Sequence, residues 1–231
     1  MWVIVTRARG DAERTAAALR ARGHEALLSP VLEIVGTGAR IDSRGADALV
    51  ASSAHAFEGL DPRDRAQLSS LPLFVVGART ADAARRAGLA APRYIAASAV
   101  ELAPHVAAVV PAPARLLYLA GRDRKPDLEQ SLHGLGFEID VAVTYEARAL
   151  DALSPETAAA LAKGRADAAL HFSRRSAQLF LVCAAQAGLA AQAASLRHIC
   201  ISQDAAADLG PDAIIAPTPD SAGLLKALEQ M

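Results

Sequence analysis

Aromatic residues are scarce in this sequence, at 4% of the chain, although hydrophobic residues make up 52% of it. A core must therefore be filled mainly by Ala, Leu and Val, which suits helices packed closely on a parallel sheet. The 231 residues are enough for one large domain or two small ones. We expect an α/β protein.

The sequence also lacks an excess of positive charge, because 24 Lys and Arg residues face 25 Asp and Glu residues. A protein that neutralises many phosphates needs such an excess, so we expect no nucleic-acid partner. Only two cysteines are present, Cys183 and Cys200, and they are not spaced as CxxC. We interpret them as reduced core residues, which indicates a reducing compartment.

Neither a secretory signal nor a membrane span is indicated. The first residues are apolar and the charge of Arg7 follows them, which reverses the order of a secretory signal. The uncharged stretch 176–196 contains three Gln residues and much Ala, so it is too weakly apolar to favour a bilayer. We expect a cytoplasmic protein without membrane contact.

Several chemical motifs are absent. The chain has no GxGxxG or GxxxxGK[ST], so a nucleotide-dependent α/β enzyme is an alternative with weak support. It has no HExxH and no His paired with Cys at ligand spacing, so we expect no metal and interpret the six His residues as surface or capping residues. It also has no GxSxG, which removes the hydrolase interpretation.

Short apolar runs alternate with Ala-rich helical stretches, the pattern of βαβ units in a parallel sheet. It predicts ten strands, at 2–6, 25–29, 46–52, 73–76, 93–96, 115–120, 138–143, 166–172, 198–202 and 213–216. The first helix illustrates the pattern: Asp11 can cap it, Ala12, Ala16 and Leu19 share one face, and Gly23 suits the residue after its end.

The second half of the chain repeats part of the first. Residues 19–25 align with 132–138 at an offset of 113, and residues 47–53 align with 167–173 at an offset of 120. Any two βαβ units share some of this pattern because the same packing requirements apply to both. The similarity is therefore explained either by duplication or by these shared requirements. Because ten strands approach the limit for one open twisted sheet, we predict two sheets of about five strands.

Two stretches resemble extended connectors, 30–37 and 143–150, because each carries alternating or β-branched residues after a completed strand. If they run side by side, the chain leaves the first lobe, builds the second and returns.

The turn from the strand at 73–76 into the next helix is a candidate anion site. Gly77 allows a tight turn, and unpaired N–H groups and the positive end of the helix dipole attract a carboxylate or phosphate, with Thr80 able to cap the helix or donate. A tight turn without a ligand is the alternative. Ser53, His55 and Ser173 also follow predicted strands, where ligands gather in open parallel sheets, although Ser residues there often only cap helices.

The remaining candidate site residues lie at strand ends and in a connector, and they include two arginines and one tyrosine. Arg7 closes the first strand, and Gly121 with Arg122 occupies the equivalent place in the other half. Several cations at strand ends suit a substrate with many carboxylates, and solvated loop charge is the alternative. Tyr145 lies where the chain is expected to cross between lobes and could donate a proton there, or it could only pack.

The order of these segments resembles the uroporphyrinogen-III synthase family over nearly the whole chain. The resemblance rests on the segments 5–7, 29–30, 47–57, 76–81, 117–122, 143–146 and 171–176, and no single motif is diagnostic. It implies two flavodoxin-like lobes with parallel sheets, joined by a two-stranded antiparallel linker. The implied bounds are 1–35 with 150–231 for a discontinuous lobe, 38–143 for the second lobe, and 30–37 with 143–150 for the linker.

The resemblance also implies an activity. Members of the family are lyases that cyclise hydroxymethylbilane, a polycarboxylate, to uroporphyrinogen III with inversion of ring D and loss of water, in tetrapyrrole and heme biosynthesis. They need neither metal nor organic cofactor. We expect this chain to do the same as a monomer. A non-catalytic two-lobed small-molecule binding protein is the alternative.

Site residues carry over one by one. Tyr145 resembles the family tyrosine that assists departure of the hydroxyl, and Ser53, Gly77, Thr80 and Ser173 match positions that line the substrate cleft. His55 stands where other members can carry Arg. Arg7, Gly121 and Arg122 complete the expected substrate contacts. The segment 202–206 lacks the Gly and Thr of the 77–81 turn, which puts a substrate contact there in doubt.

Overall fold

The structure is a computed structural model that describes residues 1–230. The chain divides into two compact units. Unit 1 comprises Met1–Glu33 and the chain from Arg148 onward, and unit 2 is Ile34–Ala147. Each unit contains a sheet with helices packed on it, so the α/β class with mainly parallel sheets is confirmed.

The strands, in chain order, are β1 Trp2–Val5, β2 Glu25–Leu28, β3 Leu32–Gly36, β4 Ala48–Ala51, β5 Leu73–Val76, β6 Tyr94–Ala96, β7 Arg115–Gly121, β8 Glu138–Ala149, β9 Ala168–His171, β10 Arg197–Cys200 and β11 Ile214–Ile215. The helices are α1 Arg9–Arg20, α2 Pro62–Leu68, α3 Ala78–Arg86, α4 Ala99–Val109, α5 Asp127–Gly134, α6 Pro155–Ala162, α7 Arg174–Gln186, α8 Ala190–Ala194, α9 Gln203–Ala206 and α10 Ser221–Glu229. A 3-10 helix covers Ala54–Phe57. All ten predicted strands are confirmed, and β3 lies in the first expected connector.

The two sheets have the same strand order. The first sheet is β11-β10-β9-β1-β2, and the second is β3-β8-β7-β4-β5-β6. The offsets found in the sequence match β1 to β7, β2 to β8 and β9 to β4. With these matches the orders β2-β1-β9-β10-β11 and β8-β7-β4-β5-β6 are equivalent, and every one of these pairs is parallel.

Strand β3 is the additional member of the second sheet and lies beside β8. The N–H of Thr37 donates to the carbonyl of Thr144 at 3.0 Å, and the N–H of Leu150 donates to the carbonyl of Val31 at 3.0 Å. Both predicted connectors therefore take part in main-chain hydrogen bonding with each other.

The central strands are buried on both faces. In β1, Ile4 packs with Leu27 and Phe180 on one face, whereas Val3 and Val5 belong to the cluster on the other face. This explains why the strand reads as a continuous apolar run rather than an alternating one.

Helix α1 follows the predicted pattern at its buried face but not at its start. Ala12, Ala16 and Leu19 are buried, and Gly23 has a positive φ of 77°. The prediction that Asp11 caps the helix is wrong. The helix begins at Arg9 after Ala8, so Asp11 lies inside the first turn and binds Arg7 instead.

Both cysteines are buried and unbonded to each other, as predicted. Burial raises the pKa of Cys200 to about 11, which keeps the thiol protonated and unreactive at neutral pH. Among residues 1–230, no helix combines the length and apolar character that a membrane crossing requires.

The interpretation of all six His residues as surface or capping groups is wrong for His171 and His198, which are buried. His198 Nε2 lies 3.1 Å from the carbonyl of Ala193, which can only accept, so His198 Nδ1 carries no proton. His171 Nε2 therefore donates to His198 Nδ1, at 2.9 Å. Burial, with the nearby His198, lowers the pKa of His171 to about 3, so the pair is neutral at pH 7.

Candidate functional site

The carboxyl edge of the unit 2 sheet gathers most of the predicted site residues. Strands β4, β5 and β7 are parallel, so the segments that follow them leave the sheet at the same edge. The 3-10 helix after β4 packs against both α3 and β7. The predicted residues at this edge are Ser53, His55, Gly77, Thr80, Gly121, Arg122 and Tyr145.

Tyr145 is held in β8 by main-chain contacts to the end of β7. It is the register partner of Gly121, and the N–H of Arg122 donates to its carbonyl at 3.0 Å. Its half-buried ring packs against the cluster that includes Leu117 and Leu119. The centroid of the His55 ring lies 5.7 Å from that of Tyr145. Tyr145 and His55 are therefore neighbours in the structure, although they lie far apart in the sequence.

His55 is oriented by contacts on both sides. The N–H of His55 donates to the Ser53 hydroxyl, at 3.3 Å, at the start of the 3-10 helix. Its ring Nδ1 lies 3.0 Å from Oε1 of Glu58. Sequence reasoning missed Glu58, although the spacing of three residues on a helical turn is the signal that would have found it.

The turn after β5 leads into α3 without a side-chain cap. Gly77 has φ 83° and ψ 144°. Its N–H donates to the carbonyl of Ala96 at 2.8 Å. Thr80 is only 4% exposed, and its N–H already donates to the Gly77 carbonyl at 3.1 Å. The start of α3 thus offers the positive end of a helix dipole with little help from the Thr80 hydroxyl.

Arg122 is exposed and forms an ion pair with Glu146, in which Nε lies 2.6 Å from Oε2. Gly121, by contrast, is buried. A carboxylate ligand would therefore meet Arg122 in competition with Glu146. Because the guanidinium has five N–H donors, binding a ligand does not require it to release Glu146.

A pair of hydroxyl groups, from Tyr118 and Ser52, lies in the same unit and was not predicted. The Tyr118 hydroxyl is 2.5 Å from the Ser52 hydroxyl. Burial raises the pKa of Tyr118, and the nearby Tyr145 adds to the effect. Tyr118 lies in an apolar strand where the sequence pattern indicates only core, so nothing in the sequence separated its hydroxyl from a packing role.

In unit 1, Arg7 and Ser173 also follow strand ends, those of β1 and β9. The Arg7 guanidinium lies 4.1 Å from the centroid of the Phe172 ring, and it binds Asp11 at 2.8 Å. Ser173 caps α7 through a reciprocal pair of bonds with Ser176. Both predicted residues therefore have contacts within the unit.

The segment that was expected to depart from the family pattern closes its own helix. The Ser202 hydroxyl accepts from the N–H of Ala205 at 3.3 Å, which caps α9. Asp204 lies in the first turn of this short helix. The Ser202 hydroxyl is thus engaged within the segment.

Comparisons with known proteins find similar folds. Uroporphyrinogen-III synthase from Helicobacter pylori has a similar structure, with a TM-score of 0.66, 18% sequence identity and coverage of 100% of both chains. A mutant uroporphyrinogen III synthase from Thermus thermophilus gives a TM-score of 0.53 at 18% identity, again over 100% of both chains. At this identity the likeness establishes the fold alone. No curated protein matches the sequence.

The family assignment comes from the sequence model described as uroporphyrinogen-III synthase HemD, which matches residues 13–226. The match spans both units and every strand from β2 to β11. Since it includes nearly the whole chain, and the segments at the carboxyl edge of each sheet fall within it apart from Arg7, the chain belongs to the uroporphyrinogen-III synthase family.

Proposed function

We propose that this protein is a uroporphyrinogen-III synthase, a lyase that closes hydroxymethylbilane to uroporphyrinogen III with inversion of ring D and loss of water. The family match over residues 13–226 is the observation that carries the proposal. The comparisons offer no support for the alternative of a non-catalytic binding protein. We further propose that the enzyme works as a cytoplasmic monomer in tetrapyrrole and heme biosynthesis.

In this reaction the main task of the protein is to hold the flexible linear substrate in one conformation. Protonation and loss of the hydroxyl as water leaves an electrophilic cation of the azafulvenium type. The substituted carbon of the terminal pyrrole ring attacks this cation with its electron pair to give a spiro intermediate. The uninverted closure occurs without an enzyme, so the inverted closure must be made faster by positioning. In well-oriented intramolecular reactions, fixed geometry can lower the barrier by about 7 to 11 kcal/mol. A part of that effect, several kcal/mol, is enough to favour the inverted closure over the uninverted one.

Polar groups at the carboxyl edge of unit 2 suit the acetate and propionate groups of such a substrate. The start of α3 has no side-chain cap, its residues 78 and 79 are exposed, and it carries the positive end of the helix dipole. Ser53, His55 and Arg122 add polar and cationic groups at the same edge. We assign Gly77, Thr80, Ser53, His55, Gly121 and Arg122 to substrate binding on this basis.

Arg7 and Ser173 are the proposed contacts from unit 1. The exposure of Arg7 is limited, at 20% of its side chain, and Asp11 shares its charge. Its guanidinium donates to both Asp11 and the Ser221 hydroxyl, so a substrate carboxylate would share it with these two partners. Ser173 would have to bind a carboxylate while it caps α7.

Tyr145 is the proposed catalytic residue. Its hydroxyl would donate a proton or a hydrogen bond to the departing hydroxyl group, as the family resemblance implies. The half-buried position of the ring in unit 2 supports this role, because it leaves part of the side chain accessible while the main chain of β8 and β7 fixes it.

We also propose that units 1 and 2 are two flavodoxin-like lobes, joined by a linker made of 30–37 and 143–150. Unit 1 supports the first part, because its strands numbered along the chain have the flavodoxin-like order 2-1-3-4-5. The sheet of unit 2 repeats this arrangement in space, although its strands follow one another along the chain in the order 3-2-1-4-5. The hydrogen bonds from Thr37 to Thr144 and from Leu150 to Val31 support an antiparallel linker, since residue numbers rise along one segment as they fall along the other.

The decisive experiment supplies freshly generated hydroxymethylbilane to the purified protein and separates the porphyrin isomers after oxidation. We expect isomer III in large excess over the control without enzyme, in the absence of added metal or cofactor. Isomer I alone, at the rate of the control, would refute the proposal. Saturable binding of the bilane without any isomer III would favour the non-catalytic alternative.

A further inference from the structure

The phenol ring of Tyr145 occupies the space that a side chain at residue 121 would need. A β-carbon built on Gly121 would lie 2.6 Å from Cζ of Tyr145 and 2.8 Å from both Cε2 and the hydroxyl oxygen. All three distances are far shorter than van der Waals contact. The hydroxyl end of the ring therefore lies directly over the bare main chain of Gly121.

The backbone of Gly121 does not itself require glycine. Gly121 is absent from the positive-φ glycines, so its φ is one that any residue can adopt. This distinguishes it from Gly77, whose φ of 83° demands glycine whatever its surroundings. The Tyr145 ring is thus the feature that excludes a larger residue at position 121.

The main chain on both sides of the contact is fixed. A β-bulge lies between Ala120 and Gly121, after which Gly121 and Tyr145 are register partners. The N–H of Arg122 donates to the Tyr145 carbonyl, and the N–H of Thr37 donates to the carbonyl of Thr144, each at 3.0 Å. Because the strands are held in this way, a side chain at position 121 would move the ring rather than the backbone.

We propose that Gly121 is a positioning residue for Tyr145: the absent side chain determines where the phenol hydroxyl stands, and Gly121 does not act by contacting the substrate itself. The inference rests on the proposed function, in which the Tyr145 hydroxyl assists departure of the substrate hydroxyl. It changes the role of Gly121 from substrate contact to support of the catalytic side chain.

The test variant is Gly121→Ala. The atoms that a methyl group would displace are at the far end of a side chain, so the ring can swing aside and the protein should fold. A displacement of about 1 Å at a reacting group can cost about 100-fold in rate, so we expect kcat for uroporphyrinogen III to fall between about 10-fold and 100-fold. KM should stay within about two-fold, since the groups that bind carboxylates are unchanged.

Gly134→Ala is the matched control, because Gly134 lies in unit 2, has no positive φ and would place its β-carbon in open space. This variant should keep both kcat and KM. A similar loss of kcat in Gly134→Ala would show that the effect is not specific to the ring, and would overturn the proposal.

A double-mutant cycle separates positioning from substrate contact. In the Tyr145→Phe background no hydroxyl remains to be misplaced, so adding Gly121→Ala should leave kcat within about two-fold. If Gly121→Ala instead reduces kcat by the same factor in both backgrounds, Gly121 acts independently of the hydroxyl and the proposal is wrong.

A spectroscopic measurement tests the packing without relying on activity. With 3-fluorotyrosine incorporated, the chain gives three fluorine signals, from Tyr94, Tyr118 and Tyr145, and Tyr145→Phe identifies the third. Gly121→Ala should shift the Tyr145 signal most and leave that of Tyr94 in place. An unshifted Tyr145 signal would overturn the proposal even if the enzyme is active. The proposed function is tested separately, by the isomer assay on the wild-type protein, and it fails if no isomer III is formed.

Discussion

The two units share a strand order, and most of their equivalent helix starts are capped alike, by Ser173 and Ser53 after β9 and β4 and by Asp220 and Ser98 after β11 and β6. They differ at one place, because in unit 1 the helix after β10, α9, is capped by the Ser202 side chain. In unit 2, α3 begins at Gly77, and no side chain caps it. The position of Gly77 after β5 corresponds to that of Ser202 after β10. The N–H three residues after the cap is engaged in both turns, by the Ser202 hydroxyl in unit 1 and by the Gly77 carbonyl in unit 2. The difference is therefore that unit 2 places no side chain at this turn.

The equivalent strands β4 and β9 differ in a second way. Ala51 in β4 aligns with His171 in β9 at the offset of 120. His171 is buried and bonded to His198, whereas β4 is apolar throughout. Two sheets with equivalent strand orders therefore carry different chemistry: unit 1 buries a neutral His pair, and unit 2 carries a half-buried phenol at its sheet edge.

The largest expected effect tests whether the unit 2 edge contains the chemistry. Tyr145→Phe keeps the ring over Gly121 and removes only the hydroxyl. If that group assists departure of the substrate hydroxyl, kcat should fall by about 10- to 100-fold, near the lower end for a single proton donor. Steady-state formation of isomer III measures it, and urea unfolding verifies that the variant is folded.

Tyr94→Phe provides the control within the same unit. The Tyr94 hydroxyl donates to Glu101 at 2.8 Å, so Tyr94→Phe removes a phenol hydroxyl from unit 2 that has no proposed role in the reaction. Turnover should be unaffected in this variant. Equal turnover in wild type and Tyr145→Phe would exclude the hydroxyl from the mechanism and end the distinction between the two sheet edges.

The next effect concerns the open turn of unit 2. Gly77→Ala forces an L residue into φ 83° and ψ 144°, which should cost about 1 to 3 kcal/mol of unfolding free energy. Gly10→Ala in α1 is the matched control, because Gly10 has no positive φ and open space around it. It should stabilise the protein by about 0.5 to 1 kcal/mol.

Urea unfolding of both variants at pH 7.5 measures this difference. Equal free energies of unfolding for Gly77→Ala and wild type would mean that the turn relaxes without strain, and that its main chain is not fixed in the observed form.

The buried His pair predicts a pH dependence that belongs to unit 1. The pKa of His171 is lowered to about 3 in the folded protein, mainly by burial, against 6.5 for the exposed group. The unfolded chain therefore binds a proton more readily as the pH falls below 6.5. Stability from the neutral pair is complete above that pH and is lost between about 6.5 and 3, at up to about 1.4 kcal/mol per pH unit.

Between pH 7.5 and 5.5 this predicts a loss of about 1 kcal/mol from His171. The double variant His171→Leu with His198→Leu removes both partners, so neither nitrogen is left buried without its partner. Its unfolding free energy should depend less on pH than that of wild type. In wild type, lowering the pH from 7.5 to 5.5 should increase amide hydrogen exchange first in β9 and β10. Identical pH dependence in the two proteins would contradict the assignment.

Much of the fold could be predicted because the physical signals are local. Each of the ten predicted strands is a short apolar run bounded by Gly or polar residues, and each is present within a few residues of its expected bounds. The repeat offsets also matched equivalent strands correctly. The start of α1 was predicted wrongly because the polar residue Asp11 resembles a cap, whereas the helix already begins after Ala8.

The site was only partly predictable for a different reason. Positions after strands follow from the sequence pattern, so Ser53, Gly77 and Arg122 could be placed at a sheet edge. Contacts that depend on register could not: the ring of Tyr145 over Gly121 requires the bulge between β7 and β8. The His171 and His198 pair likewise depends on β9 and β10 being neighbours, which no local signal encodes.

The smallest effect separates capping from substrate binding among the serines of unit 1. Ser202→Ala removes the cap of α9 and should cost about 1 kcal/mol of unfolding free energy. KM and kcat should be unchanged, because the segment has no proposed substrate contact. Ser173→Ala should cost a similar amount by removing the cap of α7.

The two serines should differ in KM. If the Ser173 hydroxyl also donates to a substrate carboxylate, its loss should raise KM by roughly ten-fold or more, since a hydrogen bond to a charged group contributes about 1.5 to 3 kcal/mol. Unfolding curves and steady-state kinetics on the same preparations measure both quantities. A raised KM in Ser202→Ala would mean that the capped turn of unit 1 binds substrate after all, and the contrast with the uncapped turn at Gly77 would then lose its functional meaning.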